Sequence, residues 1–341
     1  MDDLKKKEML KNLKKKYVRS IIKLGNSKAI TFPQEWTKLA ELKDKSEIKE
    51  GEIIGASEVS LYPIDDKSIL IRVSDKEREQ TVLRLNGNKW PLKLIKQAII
   101  SAFKINVDEI YVKYNEDNQE DLYELLINLQ REIIGFDFKN LSDTQDYYIN
   151  FLLDTSKAPF QDVLMDLANI FHTIIKNVIE GTNKKSNNLL LTEIGRKYSL
   201  GRRILVTGLS EYPTSKGYRN MPVIQFLGNR VVLLYVRDFI NESLNLHNFS
   251  KDIIAKYSDL LSRIPSLLIS MINNYDNINL KTISEVQDDL INLDSILDKI
   301  HIGETFEELE IRNTIKYFLN SFQTFFDIGI TRLIEFEIGM I

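Results

Sequence analysis

The sequence predicts an α+β protein, with strand hairpins first, a mixed segment in the middle and a helical body to the C-terminus. Three observations predict it. Between residues 17 and 74 apolar residues alternate with polar ones over short runs, as half-buried strands require. Between 75 and 155, runs of strand period and helix period succeed one another. From Ser156 onward the apolar residues recur at three-and-four spacing, the signature of helices with one buried face. The 341 residues are enough for two or three domains, each with its own core.

The first segment, 1–16, is a basic arm. Ten Lys and Arg residues fall between Met1 and Lys28 against three acids, so this stretch carries seven positive charges while the remaining chain sums to −10. Segregation of this kind is the footprint of an arm that grips phosphate while an acidic body stays clear of it. The competing readings are a solvated tail and an anionic membrane surface. Met9, Leu10 and Leu13 are too few to insert into a bilayer, and the arm adjoins a hairpin, which favours phosphate.

The hairpin lies in Tyr17–Ala40, YVRSIIKLGNSKAITFPQEWTKLA. A basic, strand-like run with Val18, Ile21 and Leu24 is broken by Gly25-Asn26-Ser27 and resumes at Ala29-Ile30-Thr31-Phe32. Pro33 is predicted at the first position of a short helix, where its fixed φ costs nothing. A two-stranded ribbon of this size fits the DNA major groove. KLGNSKAITFP resembles the AbrB/MazE swapped-hairpin DNA-binding domain, a basic strand followed by G-N-S-x-A and then Pro. That resemblance implies a swapped-hairpin β domain over 17–74, a homodimer formed through the hairpins, and double-stranded DNA as partner. It puts Arg19, Lys23, Asn26, Ser27 and Lys28 on the DNA-facing loop, with Lys14, Lys15 and Lys16 of the arm adding phosphate contacts. Thr31 departs from the pattern, standing where related chains often carry Arg. A second hairpin is predicted from Glu58–Pro63 and Ser68–Arg72 around a turn at Asp65-Asp66-Lys67, and Lys45–Ala56 is an insertion ahead of it.

In the connector, 75–155, Leu92, Ile95, Ile99 and Phe103 share one helical face, and Leu122, Leu125, Leu126, Leu129 and Ile133 share another. Strands are predicted at Glu109–Lys113, Ile134–Phe138 and Gln145–Leu152. The stretch Arg131–Leu164 is similar to the middle of archaeal PhoU-type proteins, in which a helix ending R-x-I-x-G leads through strands to a Leu-Leu-Asp entry into a helical domain. Six helices follow in 156–341: Ser156–Glu180, Ser186–Leu209, Tyr218–Leu244, Ser250–Asn274, Leu280–His301 and Thr305–Ile338. Grouped three and three, they resemble the PhoU layout.

PhoU proteins hold metal clusters through carboxylates one turn apart, a spacing that suits hard oxygen ligands. Here Glu193 remains, but Gly195 replaces an expected Asp, and Leu233, Leu234 and Tyr235 occupy the facing acidic stretch. Asp294 and Asp298 survive in the second half, whereas their partner helix carries Asn320, Gln323 and Thr324. No metal site and no cofactor are therefore expected, and Asp288, Asp289, Asp294 and Asp298 read as a solvated face.

Other chemistry is thin. His172, His247 and His301 are the only histidines, on separate elements. No G-x-S-x-G, Walker or dinucleotide motif occurs, and no enzyme is expected. Gly201-Arg202-Arg203 and Lys184-Lys185 are basic pairs open to an anion, and Tyr317, Phe318, Phe322, Phe325 and Phe326 read as core with a share in a dimer surface. The chain has no cysteine, which excludes disulfides and thiolate metal sites and fits a reducing interior. No apolar run nears the length of a bilayer span and no signal peptide precedes the basic start, so a cytoplasmic protein without membrane insertion is expected.

The resemblance implies a dimeric transcriptional regulator linked to phosphate uptake, its helical body a sensor or the seat of a protein partner. Two rivals stand beside it: an architectural, chromatin-like protein with little sequence preference, and a signalling adaptor of a phosphate transporter.

Overall fold

The computed structural model describes residues 18–24, 27–39, 59–63, 69–73, 80–155, 158–182, 184–210, 223–275, 279–300 and 305–337. The arm, the insertion Lys45–Ala56 and the turn at Asp65-Asp66-Lys67 lie outside them. The chain is mixed α+β and mostly helical, and it divides into two compact units, Met1–Glu79 and Gln80–Ile341. No described helix is long and apolar enough to cross a membrane.

The first unit holds two separate two-stranded ladders. Strands β1 (Ile22–Leu24) and β2 (Ser27–Ala29) pair antiparallel, and helix α1 (Gln34–Leu39) follows. Pro33 stands one residue ahead of α1, and its carbonyl accepts from the N–H groups of Trp36 and Thr37, each at 3.0 Å. Proline thus opens the helix from just outside it, where its missing N–H is not needed. Strands β3 (Val59–Pro63) and β4 (Ile69–Val73) form the second hairpin at the predicted place, in the register Val59↔Val73 through Pro63↔Ile69.

The second unit begins with a four-stranded sheet of β5 (Val82–Asn86), β6 (Glu109–Lys113), β7 (Phe136–Leu141) and β8 (Asp146–Phe151), in the order β5-β6-β8-β7. In this sheet only the β5–β6 pairing is parallel, and helix α2 (Leu92–Lys104) makes the crossover that a parallel pair demands. Helix α3 (Gln119–Glu132) joins β6 to β7. Ile95, Ile99 and Phe103 of α2 and Leu122, Leu126 and Leu129 of α3 meet Ile110, Val112, Tyr147 and Ile149 in one dry core. Two sequence expectations shift here. The strand predicted at Ile134–Phe138 starts at Phe136, because Gly135 turns the chain out of α3 at φ 72° and its carbonyl accepts from Leu152 N at 2.7 Å. Ile133, assigned to the α3 face, sits one residue beyond the helix with extended φ and ψ.

Six helices follow: α4 (Phe160–Ile179), α5 (Lys184–Ser210), α6 (Val223–Ser243), α7 (Lys251–Asn273), α8 (Leu280–Lys299) and α9 (Phe306–Glu337), with a 3-10 turn at Leu244–Asn248. Helices α4, α5 and α6 pack on one another, as do α7, α8 and α9, and the two trios join through α4 against α7 and α6 against α9. Helix α4 begins four residues later than Ser156, because Pro159 biases the residue before it away from helical ψ. Asn279 starts α8 with a reciprocal cap, accepting from Thr282 N at 3.0 Å while its own N–H donates to Thr282 Oγ1 at 3.1 Å. Phe318 and Phe322 are buried between the trios against Phe171 and Phe239, Phe325 is buried against Tyr275, Phe326 is buried too, and Tyr317 alone of that aromatic group is exposed.

Sheet and bundle belong to one unit: helices α2 and α3 pack on α5, Leu153 touches both cores, and Arg203 adds a buried polar joint. Helix α2 ends in a Schellman turn: Val107 N–H donates to Ala102 O at 3.0 Å, Asn106 N–H donates to Phe103 O at 3.2 Å, and Asn106 takes φ 61°. Arg203 on α5 donates from Nη1 to the same Phe103 carbonyl at 2.9 Å, and its guanidinium lies 4.9 Å from the ring centres of both Phe103 and Phe151. A buried cation at a helix C-terminus meets the negative end of the helix dipole. Arg203 of the Gly-Arg-Arg run is therefore not open to an anion, being only 5% exposed, whereas Arg202 is half-buried. Gly201 is there for packing, since a Cβ on it would stand 2.9 Å from Leu233 Cδ2 and 3.3 Å from Val163 Cγ1.

Replacing Arg203 by Leu should cost about 2–3 kcal/mol, since it removes a charged hydrogen bond and two cation–ring interactions. Gly201→Val should cost about 1–3 kcal/mol by overpacking. Urea unfolding followed by circular dichroism measures both, and parental midpoints would refute this account of the joint.

Candidate nucleic-acid interface

The first hairpin positions its polar residues by strand alternation. Its register pairs Ile22 with Ala29, Lys23 with Lys28 and Leu24 with Ser27. Lys23 and Lys28 face each other directly across the ladder, and both are exposed. Like charges in that position are destabilising, so the ribbon carries a repulsion that a polyanion would relieve. Ser27 and Arg19 are exposed nearby in sequence, and Arg19 Nη1 donates to Val18 O at 3.3 Å. Of the predicted DNA contacts, Arg19, Lys23, Ser27 and Lys28 belong to one exposed hairpin region. Asn26, Lys14, Lys15 and Lys16 lie outside the described residues.

The same hairpins leave large apolar side chains uncovered. Val18 is 76% exposed, Ile21 66% and Ile30 51%, and in the second hairpin Leu61 and Ile69 are 59% and 60% exposed. Two-stranded ribbons do not bury enough to be stable alone. Phe32 and Trp36, with ring centres 5.0 Å apart, make the one aromatic contact seen in the described part of this unit.

The helical body organises its carboxylates around cations. Glu193 Oε2 accepts from Arg196 Nη1 at 2.8 Å, and Lys197 Nζ bonds Asp166 on α4 while lying 3.9 Å from Glu193 Oε1. In the second trio Asp298 Oδ1 accepts from Arg312 Nη2 at 2.6 Å. Gln323 donates to Asp327 Oδ1 at 3.1 Å, and Thr324 donates to Asn320 O at 3.3 Å. Among the described residues no three His, Cys, Asp or Glu side chains come together as a metal-binding set. His172 is exposed on α4 and His247 half-buried in the 3-10 turn, while His301 lies outside the described residues.

One array escapes sequence reasoning. The sheet face opposite α2 and α3 carries Arg84, Tyr111, Tyr148 and Lys139 side by side, one from each strand. Burial, and then Glu109, raise the phenol of Tyr111 above its ordinary range; burial and a hydrogen bond to Glu109 do the same for Tyr148. The strand β5 is not predicted from sequence, and without it the row lacks its Arg84 end.

No family model, curated protein or solved structure matches the chain.

Removing one charge from the hairpin separates structure from binding. Lys28→Gln should raise the stability of the ribbon at low salt by about 0.2–1 kcal/mol, by relieving its pair with Lys23, while weakening its hold on DNA. Thermal melts beside electrophoretic binding assays read both effects. A variant less stable than the parent would make Lys28 a structural residue.

Proposed function

We propose that the chain is a dimeric, DNA-binding transcriptional regulator. Its N-terminal hairpins are of the AbrB/MazE swapped type and read double-stranded DNA. Its helical body is PhoU-like, and the regulation concerns phosphate uptake. The observation that carries the reading is the Lys23↔Lys28 pair on an exposed ribbon. Two lysines held face to face are costly in a ribbon without an anionic partner and useful against a phosphate backbone.

Three further features support the reading. The net seven positive charges of Met1–Lys28 lie in the same stretch as this ribbon, so arm and hairpin act on one polyanion. The uncovered Val18, Ile21, Ile30, Leu61 and Ile69 are what a second copy would bury if the hairpins of two chains interleave. The two helix trios agree with a PhoU-like body, and the engagement of Glu193, Asp166 and Asp298 by Lys197, Arg196 and Arg312 favours a body that holds a protein partner rather than a metal cluster.

Lysines act through phosphate and Asn26 through bases. Lys23→Ala should lower affinity for all duplexes alike and reduce the salt slope by about 0.9 for each phosphate it no longer neutralises. Asn26→Ala should relax sequence preference, lowering discrimination by about 1–3 kcal/mol. Deleting Met1–Lys16 should flatten the salt slope further without unfolding the protein. Fluorescence anisotropy across a salt series measures all three, and parental behaviour in both point variants would remove the hairpin as the reader.

A further inference from the structure

Register fixes what the outer face of the four-stranded sheet presents. Cross-strand partners share a face, and Ile110, Val112, Tyr147 and Ile149 point to the helices. The opposite face is therefore built of three rows: Val82–Glu109–Asn150–Asp137, Arg84–Tyr111–Tyr148–Lys139 and Asn86–Lys113–Asp146–Leu141. The middle row is two aromatic rings with a cation at each end, and both cations are exposed. At about 4.8 Å between strands the row spans roughly 14 Å.

The rings are held in place. Tyr111 donates to Glu109 Oε2 at 3.3 Å and Tyr148 donates to Glu109 Oε1 at 3.1 Å, so one carboxylate anchors both hydroxyls. Their ring centres lie 5.3 Å apart, and the Arg84 guanidinium sits 4.4 Å from the centre of Tyr111. Rings fixed before a ligand arrives lose little freedom on binding it.

We propose that this row is a stacking platform for single-stranded nucleic acid, with bases on Tyr148 and on Tyr111, from whose face the exposed Arg84 guanidinium moves to a phosphate, and a second phosphate at Lys139. A dry protein interface is the wrong occupant, because it would bury Glu109, Asp137, Lys113 and Asp146 in the flanking rows. Duplex DNA is equally unsuited, since its base faces are hidden within the stack and a flat sheet face does not enter a groove. Unpaired bases offer the π-faces that aromatic side chains on an open sheet bind without regard to sequence. The acids stand in the outer rows. The Glu109 carboxylate accepts both phenol protons, and Asp146 lies opposite Lys113 in the register. The middle row is left to rings and cations. DNA and RNA strands share the chemistry recognised here, and two probes tell them apart.

The experiment uses the full chain, labelled dT12 and rU12, and an unlabelled duplex of the same length as competitor, read by anisotropy. The parent should bind at least one single strand in excess duplex. Tyr111→Ala and Tyr148→Ala should each weaken that binding by about 5- to 150-fold and leave duplex affinity unchanged, while Tyr148→Phe should retain it. Arg84→Gln and Lys139→Gln, at exposed positions that the fold does not need, should weaken it and lower its salt dependence. If the alanine variants melt early, these two decide the matter. Tyrosine and cation variants that bind both probes like the parent would overturn the proposal. So would a parent that binds neither probe in the presence of duplex.

Discussion

One buried guanidinium is the polar joint between the sheet and the bundle, set among the contacts of α2 and α3 with α5. Helix α2 must end somewhere, and its last carbonyls need donors that the helix cannot supply. The backbone of Asn106 and Val107 provides two, and Arg203 reaches across from α5 with a third, its charge set between Phe103 and Phe151. The same helix brings Gly201 against Leu233 and Val163 two residues earlier. Two neighbouring positions on α5 thus fasten opposite sides of the unit, one by charge and one by closeness.

The first unit is organised by the reverse constraint. Its described ribbons have too few residues to build a core, and apolar and positive side chains stand exposed on them. Each kind lacks something: the apolar ones lack cover, and Lys23 and Lys28 lack an anion between them. On the proposed reading a second copy would cover the first and a phosphate backbone would neutralise the second, so that dimerisation and DNA binding would be a single design.

Strongly periodic elements were legible in the sequence. β6 falls at Glu109–Lys113 as predicted, and the six C-terminal helices lie where the three-and-four spacing puts them, the start of α4 moved by Pro159 and that of α8 at Leu280 as predicted, where Asn279 caps it. What escaped depends on distant partners. β5 has only five residues and becomes a strand by parallel pairing with β6, a contact made across a whole helix. Arg203 reads as surface because arginine is seldom buried; only the fold brings Phe103 and Phe151 to it. The Arg84–Tyr111–Tyr148–Lys139 row needs the register of four strands, three of which were foreseen without their order. In the hairpin, by contrast, Arg19, Lys23, Asn26, Ser27 and Lys28 are close in sequence, and the resemblance carried by KLGNSKAITFP grouped them before any pairing was known.

Binding of the full chain to a random duplex, and to duplexes selected from genomic fragments, measured against salt concentration, tests the central claim most directly. A DNA-binding regulator predicts that log affinity falls steeply and linearly with log salt on both, with a large preference for the selected fragments. Steep dependence without preference would contradict the regulator and leave an architectural protein. Absence of binding at low salt would contradict the DNA reading altogether.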